Sequence, residues 1–193
     1  ILSGLVGSEM CIRDRAEDTG LINAIGEIVV DKVCAQLAAW IQNGVEVVPV
    51  SVNVSPHQFN EGKVKKMLAA NLEKYAIPAK LLEIELTESA MMRNVGDIFD
   101  ELTAINEMGI KVHVDDFGTG YSSLSLLQRL DMDVLKIDQA FTSQLGRGKD
   151  GEIFFTAIVS MAKALGMRVV AEGVETIEPV SYTHLTLPTI CSV

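Results

Sequence analysis

Val112-His113-Val114-Asp115-Asp116-Phe117-Gly118-Thr119-Gly120-Tyr121-Ser122-Ser123-Leu124 reads as a short apolar strand that runs into two adjacent carboxylates and then a loop punctuated by two glycines. Neighbouring carboxylates at a strand end repel each other and lose hydration. They are tolerated where a cation, commonly a divalent metal, sits between them. The competing reading of this stretch is a solvated acidic turn. Working outward, other segments close in the same way. Val47–Val54 is an apolar run closing on Asn53, and Leu81–Leu86 carries Glu83 and Glu85. Val134–Asp138 carries Lys136 and Asp138, and Arg168–Glu172 ends on Glu172. Each reads as a buried strand with polar residues at its C-terminal end. Strand side chains alternate with period two, so Glu83 with Glu85, His113 with Asp115, and Lys136 with Asp138 each share a face. Strands that offer carboxylates, an amide and a lysine from their C-terminal ends point to one shared site.

An internal repeat supports that arrangement. Met108-Gly109-Ile110-Lys111-Val112 is similar to Leu165-Gly166-Met167-Arg168-Val169, and each follows an amphipathic helix. The first helix places Val95, Ile98, Phe99, Leu102 and Ile105 at helical spacing; the second uses Ile153, Ala157, Ile158, Met161 and Leu165. A glycine after each is where a left-handed helix cap belongs. Asp115 follows Gly109, and Glu172 follows Gly166, at the same distance. A helix–turn–strand unit thus delivers an acid twice to the same level of a sheet. Helices alternating with buried strands predict a parallel α/β sheet, and acids repeating around a ring favour the (β/α)8 barrel, whose active sites lie at the C-terminal ends of its strands.

Size and charge bound the possibilities. The 193 residues, 48% of them apolar, predict one domain with a sizeable core. A complete barrel typically needs about 250 residues, so five credible strands predict a partial one. A net charge of -10 argues against a protein that grips a DNA or RNA polymer through a basic surface. It leaves room for a phosphate-bearing substrate, because bound cations reverse the local charge. No apolar run is long enough to span a membrane. The pattern of Cys11, Cys34 and Cys191 gives neither zinc-ligand spacing nor a disulfide framework, which fits a reducing cytoplasm.

The ends stand apart. Residues 1–15 and 180–193 show neither periodicity nor continuity with the repeating units. Gly-Ser-Glu-Met-Cys-Ile-Arg-Asp-Arg at 7–15 and Val-Ser-Tyr-Thr-His-Leu-Thr-Leu-Pro-Thr at 180–189 resemble translated sequencing-adapter sequence. A native helix or signal peptide is the rival reading, but the N-terminal segment lacks a charged start and a clear cleavage site. The expectation is a partial domain over 16–179 flanked by two non-native segments, which sets Cys11, His184 and Cys191 aside as functional residues.

Five motifs carry a family resemblance. Ser51-Val52-Asn53-Val54-Ser55, Glu85-Leu86-Thr87-Glu88, Asp115 to Leu124, Leu135-Lys136-Ile137-Asp138 and Ala171-Glu172-Gly173-Val174-Glu175-Thr176 resemble, in unbroken order, the motifs of EAL domains, the bacterial cyclic di-GMP phosphodiesterases. The resemblance implies a modified (β/α)8 barrel that uses two Mg²⁺ or Mn²⁺ ions to hydrolyse cyclic di-GMP to linear pGpG. It implies Asn53, Glu85, Asp115 and Asp116 as metal ligands. Hard oxygen donors suit Mg²⁺ or Mn²⁺, and the lack of a His/Cys cluster disfavours zinc. Lys136 would lie near the attacking water, orienting it or assisting proton transfer; a lysine among carboxylates keeps its charge unless burial depresses its pKa, which makes electrostatic stabilisation the simpler role. A structural ion pair with Asp138 or Asp115 is the alternative. Glu172 would complete the metal or water network, with Glu175 in support. Glu88 would anchor the loop after Asp116, which the resemblance also places in a homodimer interface. Gly118 and Gly120 suit a loop that reorders on binding.

Other residues read as structural. Ser122 fits a helix cap, His113 a hydrogen-bonded core histidine, His57 a solvated loop histidine, and Met91 and Met92 local packing. Trp40 reads as packing on the first helix with Leu37 and Ile41. Two motifs of the family are absent: the name-giving Glu-x-Leu-x-Arg on a preceding strand, and a downstream Gln-Gly-Tyr strand. A barrel lacking its first and last strands is therefore expected, with open sheet edges, poor stability and no activity as an isolated fragment. Three function classes follow: a metal-dependent phosphodiesterase, a catalytically silent cyclic di-GMP-binding signalling domain, and an unrelated metal-dependent barrel enzyme. Sensory or GGDEF-type domains in a longer parent, and a membrane tether outside this chain, are compatible with all three.

Overall fold

The computed structural model describes residues 12–59, 62–88, 95–118, 124–130, 132–145 and 149–174. Cys11, Met91, Met92, Gly120, Ser122, Glu175, His184, Cys191 and the segment 180–193 lie outside the described residues, as does the side chain of Val95. Residues 12–18 are helical. There follow α1 (Ile22–Gln42), β1 (Val50–Asn53), α2 (Lys63–Tyr75), β2 (Leu82–Thr87), α3 (Val95–Asn106), β3 (Lys111–Phe117), α4 (Leu124–Arg129), β4 (Val134–Ile137), α5 (Gln139–Thr142), α6 (Lys149–Ala164) and β5 (Arg168–Ala171), with 3-10 turns at Pro56–Gln58 and Ala79–Leu81. The strands stand in the sheet in chain order, β1 to β5. A doubly wound sheet reverses its order at a switch point and a barrel wall does not, so the α/β barrel class expected from the repeat is the one observed. Among the described residues no helix is long and apolar enough to cross a membrane.

The chain divides into two compact units, one formed by 1–84 with 94–110, the other by 85–93 with 111–193. In the first, α1 buries Ile22, Gly26, Val30, Cys34, Leu37 and Ala38, one stripe at steps of three and four. Trp40 and Ile41 do not join it: they are 40% and 42% exposed, so the packing role expected for Trp40 beside Leu37 is corrected. They lie in the last turn of α1, past the end of its buried stripe. β1 is shorter than the apolar run suggested, because Pro49 has no N–H to give to a ladder and residues 45–49 are irregular. Glu101, buried on α3, accepts from the backbone N–H of Lys65 at 2.9 Å, satisfying one of the open donors at the start of α2. Glu83 accepts from the Ser51 hydroxyl at 3.4 Å.

Ser55 and Gln58 form a capping box: Ser55 Oγ accepts from His57 N at 3.2 Å while Gln58 Oε1 accepts from Ser55 N at 2.9 Å. Gly26 lies against that amide, and a Cβ built there would fall on the Gln58 side chain. Gly26→Ala therefore sets two effects against each other. Alanine gains about 1 kcal/mol of helix propensity, while overpacking costs about 1–3 kcal/mol and moving Gln58 also breaks the capping box, worth about 1 kcal/mol. The expected sum is a destabilisation of about 1–3 kcal/mol. A higher denaturation midpoint for G26A in urea would show that Gln58 yields freely.

In the second unit β3, β4 and β5 pair in parallel, with His113 opposite Val134, Leu135 opposite Val169 and Ile137 opposite Ala171. The register slips at one place. Val114 pairs with Leu135 and Phe117 with Ile137, so β3 takes three steps where β4 takes two. The extra residue is a bulge at the Asp115–Asp116 pair, and Asp116 takes a left-handed φ of 55°. Aspartate tolerates that conformation better than most residues, at about 1–2 kcal/mol. Gly109 and Gly166 hold the left-handed φ values, 86° and 76°, expected of caps after α3 and α6. On α3 most of the predicted face is buried: Ile98, Leu102 and Ile105 are each under 5% exposed, and Phe99 is half-buried. On α6 it is not. Ile153 is 66% exposed and Ala157 is also exposed, while Phe155, Ile158, Val159 and Ala162 face the core. Apolar residues sit on adjacent positions 153–155 and 157–159, so helical periodicity admits two overlapping stripes and only packing against β5 and α5 selects one.

Candidate functional site

The strand ends of the second unit deliver one cluster. Glu85 comes from β2, Asp115 and Asp116 from β3, Lys136 from β4, and Glu172 follows β5 directly. Lys136 Nζ stands 3.1 Å from Glu85 Oε2, 2.9 Å from Asp115 Oδ1 and 2.7 Å from Glu172 Oε1. An ammonium has three N–H donors, and three carboxylates take them. The side chains of Lys136, Glu85 and Asp115 are each less than 15% exposed, so these are largely desolvated ion pairs. The ion-pair partners of Lys136 are thus Glu85, Asp115 and Glu172; Asp138, considered as a partner above, has another task. It caps α5, accepting from Ala140 N at 2.6 Å.

Electrostatics follow from this packing. Burial by itself would lower the pKa of Lys136, but the hydrogen bonds to Glu172 and Asp115 and the charges of Glu85 and Asp115 outweigh it and hold the ammonium well above the usual lysine range. Burial likewise pushes Glu85 toward its neutral form, yet the His113 imidazole and the Lys136 charge beside it bring its pKa down to about 2. His113 is buried, with Nδ1 3.7 Å from Glu85 Oε1. Asp116 goes the other way. Its pKa is raised by burial and then by the charges of Asp115, Asp138 and Glu172, with Lys136 opposing.

Four carboxylates around one ammonium leave an excess of negative charge, and the excess gathers on one side. Oxygens of Asp115, Asp116 and Glu172 lie within 4.8 Å of one another. Hard cations hold oxygens at about 2.0–2.6 Å, which places donors no farther apart than about 5 Å, so these three carboxylates fit a divalent ion of the Mg²⁺, Mn²⁺ or Ca²⁺ type.

The remaining predicted residues fall as follows. Glu88, buried at the end of β2, accepts from the Gly118 N–H at 2.7 Å and so ties down the turn after the acidic pair. Asn53 closes β1 in the first unit and is exposed. His57 is exposed on its 3-10 turn, 4.0 Å from Glu17. Residues not singled out from sequence are Gln139, Phe141 and Thr142 of α5, which pack against the two turns that follow the carboxylates. The one signal for them was Asp138, a helix-capping residue directly after a strand.

Comparison with known proteins agrees with this geometry. The chain is 38% identical over 161 residues to the bifunctional diguanylate cyclase/cyclic di-GMP phosphodiesterase MucR of Pseudomonas aeruginosa, a match covering 83% of this chain and 24% of that protein. It is similar to the PaMucR phosphodiesterase solved as a c-di-GMP complex, with a TM-score of 0.82 and 36% identity over 90% of this chain and 70% of that one. The manganese/cy-diGMP complex of BlrP1 from Klebsiella pneumoniae is similar at a TM-score of 0.70 and 27% identity, covering 80% of this chain and 40% of that one. The chain spans about a fifth to a quarter of the length of the curated relatives it matches. The family model for the EAL domain matches residues 9–184, nearly the whole chain, and with the strand order and the clustered strand-end acids this places the chain in the EAL domain family.

Proposed function

We propose that the protein carrying this chain is a metal-dependent phosphodiesterase that hydrolyses cyclic di-GMP to linear pGpG. The observation that carries this reading is the convergence of Glu85, Asp115, Asp116 and Glu172 around Lys136 at the strand ends; the relatives named above support the substrate. Asp115, Asp116 and Glu172 would hold Mg²⁺ or Mn²⁺, with Glu85 completing the donor set. A pair of such ions, when bound, supplies a water that ionises near neutral pH and positive charge for the phosphate oxygens.

The residues of the chain do the rest. The carboxylates around Lys136 favour its ammonium form. It donates hydrogen bonds and stabilises negative charge developing on the phosphoryl group. Glu85 stays ionised, held there by Lys136 and His113. Glu88 fixes the turn at Gly118, just past the register shift that contains Asp116. A homodimer, sensory or cyclase partner domains and a cytoplasmic location belong to the same proposal. Incubation of the full-length protein with cyclic di-GMP and Mn²⁺, followed by nucleotide chromatography, is expected to yield pGpG, with turnover lost in chelator. Binding in Ca²⁺ with no turnover in Mn²⁺ would replace the enzyme by a silent sensor, and no binding at all would remove the substrate.

A further inference from the structure

Between β4 and α6 lies α5, a single turn whose residues touch both turns that carry the metal-site acids. Gly118, two residues after Asp116, has a left-handed φ of 101°, and a Cβ placed there would stand 2.6 Å from Phe141 Cε2 and 2.9 Å from Cζ. Gly173, next after Glu172, has a φ of 64°, and a Cβ there would fall inside the Gln139 side chain. Thr142, fully buried, donates its hydroxyl to the carbonyl of Glu172, whose own N–H is held by Ile137 O at 3.0 Å. The two turns therefore approach the same helix so closely that only hydrogen fits at the glycine position. Phe141 itself is partly buried. Its ring stacks, at 5.1 Å and 13°, on Phe154, which is 50% exposed.

We infer that Phe141 is a positioning residue for the candidate metal centre: its ring braces the Asp115–Gly118 turn at Gly118, as Gln139 and Thr142 brace the turn of Glu172. Side-chain registry of the carboxylates is then set by α5, and Asp138 acts on the centre through it, as the cap that holds α5 in place. This rests on the metal-site reading proposed above. The bulge stores backbone strain at Asp116, and a strained turn persists only where its surroundings over-determine it. Glu88 holds that turn through the Gly118 N–H, and the Phe141 ring packs against it at the Gly118 Cα.

The test compares F141A with F154A in the full-length protein. Both remove the aromatic stack, but only the first removes the wall against Gly118. Hydrogen exchange of the segment 111–118, followed by mass spectrometry, is expected to speed up in F141A and to stay as in wild type in F154A. Mn²⁺ affinity, read from the electron paramagnetic resonance of free Mn²⁺, is expected to fall about 10–100-fold in F141A, the range typical of residues that orient metal ligands. F154A should stay within about threefold, and F141L, which refills part of the wall, should recover most of the loss. kcat should fall with the affinity while KM for cyclic di-GMP moves little. Equal exchange and equal Mn²⁺ affinity in F141A and F154A would overturn the inference. A wild-type protein that binds no Mn²⁺ would instead remove the metal-site reading, and the exchange contrast would still decide whether Phe141 positions the turn.

Discussion

Lys136→Met is expected to reduce kcat for cyclic di-GMP hydrolysis by about two to three orders of magnitude, the usual cost of deleting one preorganised donor at a centre where charge develops. The expectation rests on geometry. One ammonium meets three carboxylates at 2.7–3.1 Å, is largely buried, and keeps its proton well beyond neutral pH. Its absence leaves Glu85, Asp115 and Glu172 facing one another with their shared partner gone. Removing one side of a desolvated ion pair costs about 3–5 kcal/mol, and the lower end applies because the Glu172 side chain is 29% exposed. The variant should therefore melt at lower temperature in chelator and recover part of the difference when Mn²⁺ is added, since a cation takes up the same negative charge. Lys136→Arg restores charge without geometry: a planar guanidinium fork cannot direct donors to three carboxylates placed around a point, and little activity should return. A loss of less than tenfold in K136M, with the melting temperature lowered as expected, would reduce Lys136 to a structural tie.

Asp116→Asn should change stability and activity in opposite directions. The pKa of Asp116 is raised by burial and by the charges of Asp115, Asp138 and Glu172. A carboxylate whose pKa is higher folded than unfolded holds its proton more tightly in the fold, so its ionisation as pH rises from the unfolded value through the folded one costs stability. At neutral pH that cost is fully present. Asparagine removes the charge and keeps the shape, so D116N should melt higher than wild type in chelator at pH 7, with the gap closing as pH falls below the carboxylate range. With Mn²⁺ the order reverses, because wild type gains binding energy that the amide cannot match. Turnover should drop more than about 100-fold, beyond the range expected of a residue that only orients a ligand. A melting temperature equal to wild type across pH 3–7 would show that Asp116 carries no strain from its neighbours, and retained Mn²⁺ affinity would remove it from the donor set.

Much of this was legible without coordinates, for definable reasons. Strands end on acids because a buried strand needs apolar residues along its length and can carry ionised groups only where it leaves the core, so the positions of Glu85, Asp115, Lys136 and Glu172 could be read as a run of strand ends. The left-handed caps at Gly109 and Gly166 are local backbone requirements that glycine meets at no steric cost. Where two local solutions were equally good, the chain alone did not choose. Helix α6 offers two overlapping apolar stripes, and the expected one was off by part of a turn. Trp40, large and apolar, was expected to pack and stands 40% exposed.

What sequence determined by itself is the inventory and its order: five strands alternating with helices, an acid or a lysine at successive strand ends, and the family these motifs mark. What only the tertiary structure decided is convergence. Period-two alternation sends Asp115 and Asp116 to opposite faces, and no local rule brings them together; the added residue in β3, set by its ladder with β4, turns both toward Glu172. The choice of Glu85, Asp115 and Glu172 as the partners of Lys136, and the bracing of two turns by α5, depend likewise on contacts 21–51 residues apart in the chain. Composition and periodicity are properties of neighbouring residues, whereas a site is a meeting of distant ones, and its geometry exists only once the ladder that aligns the strands has formed.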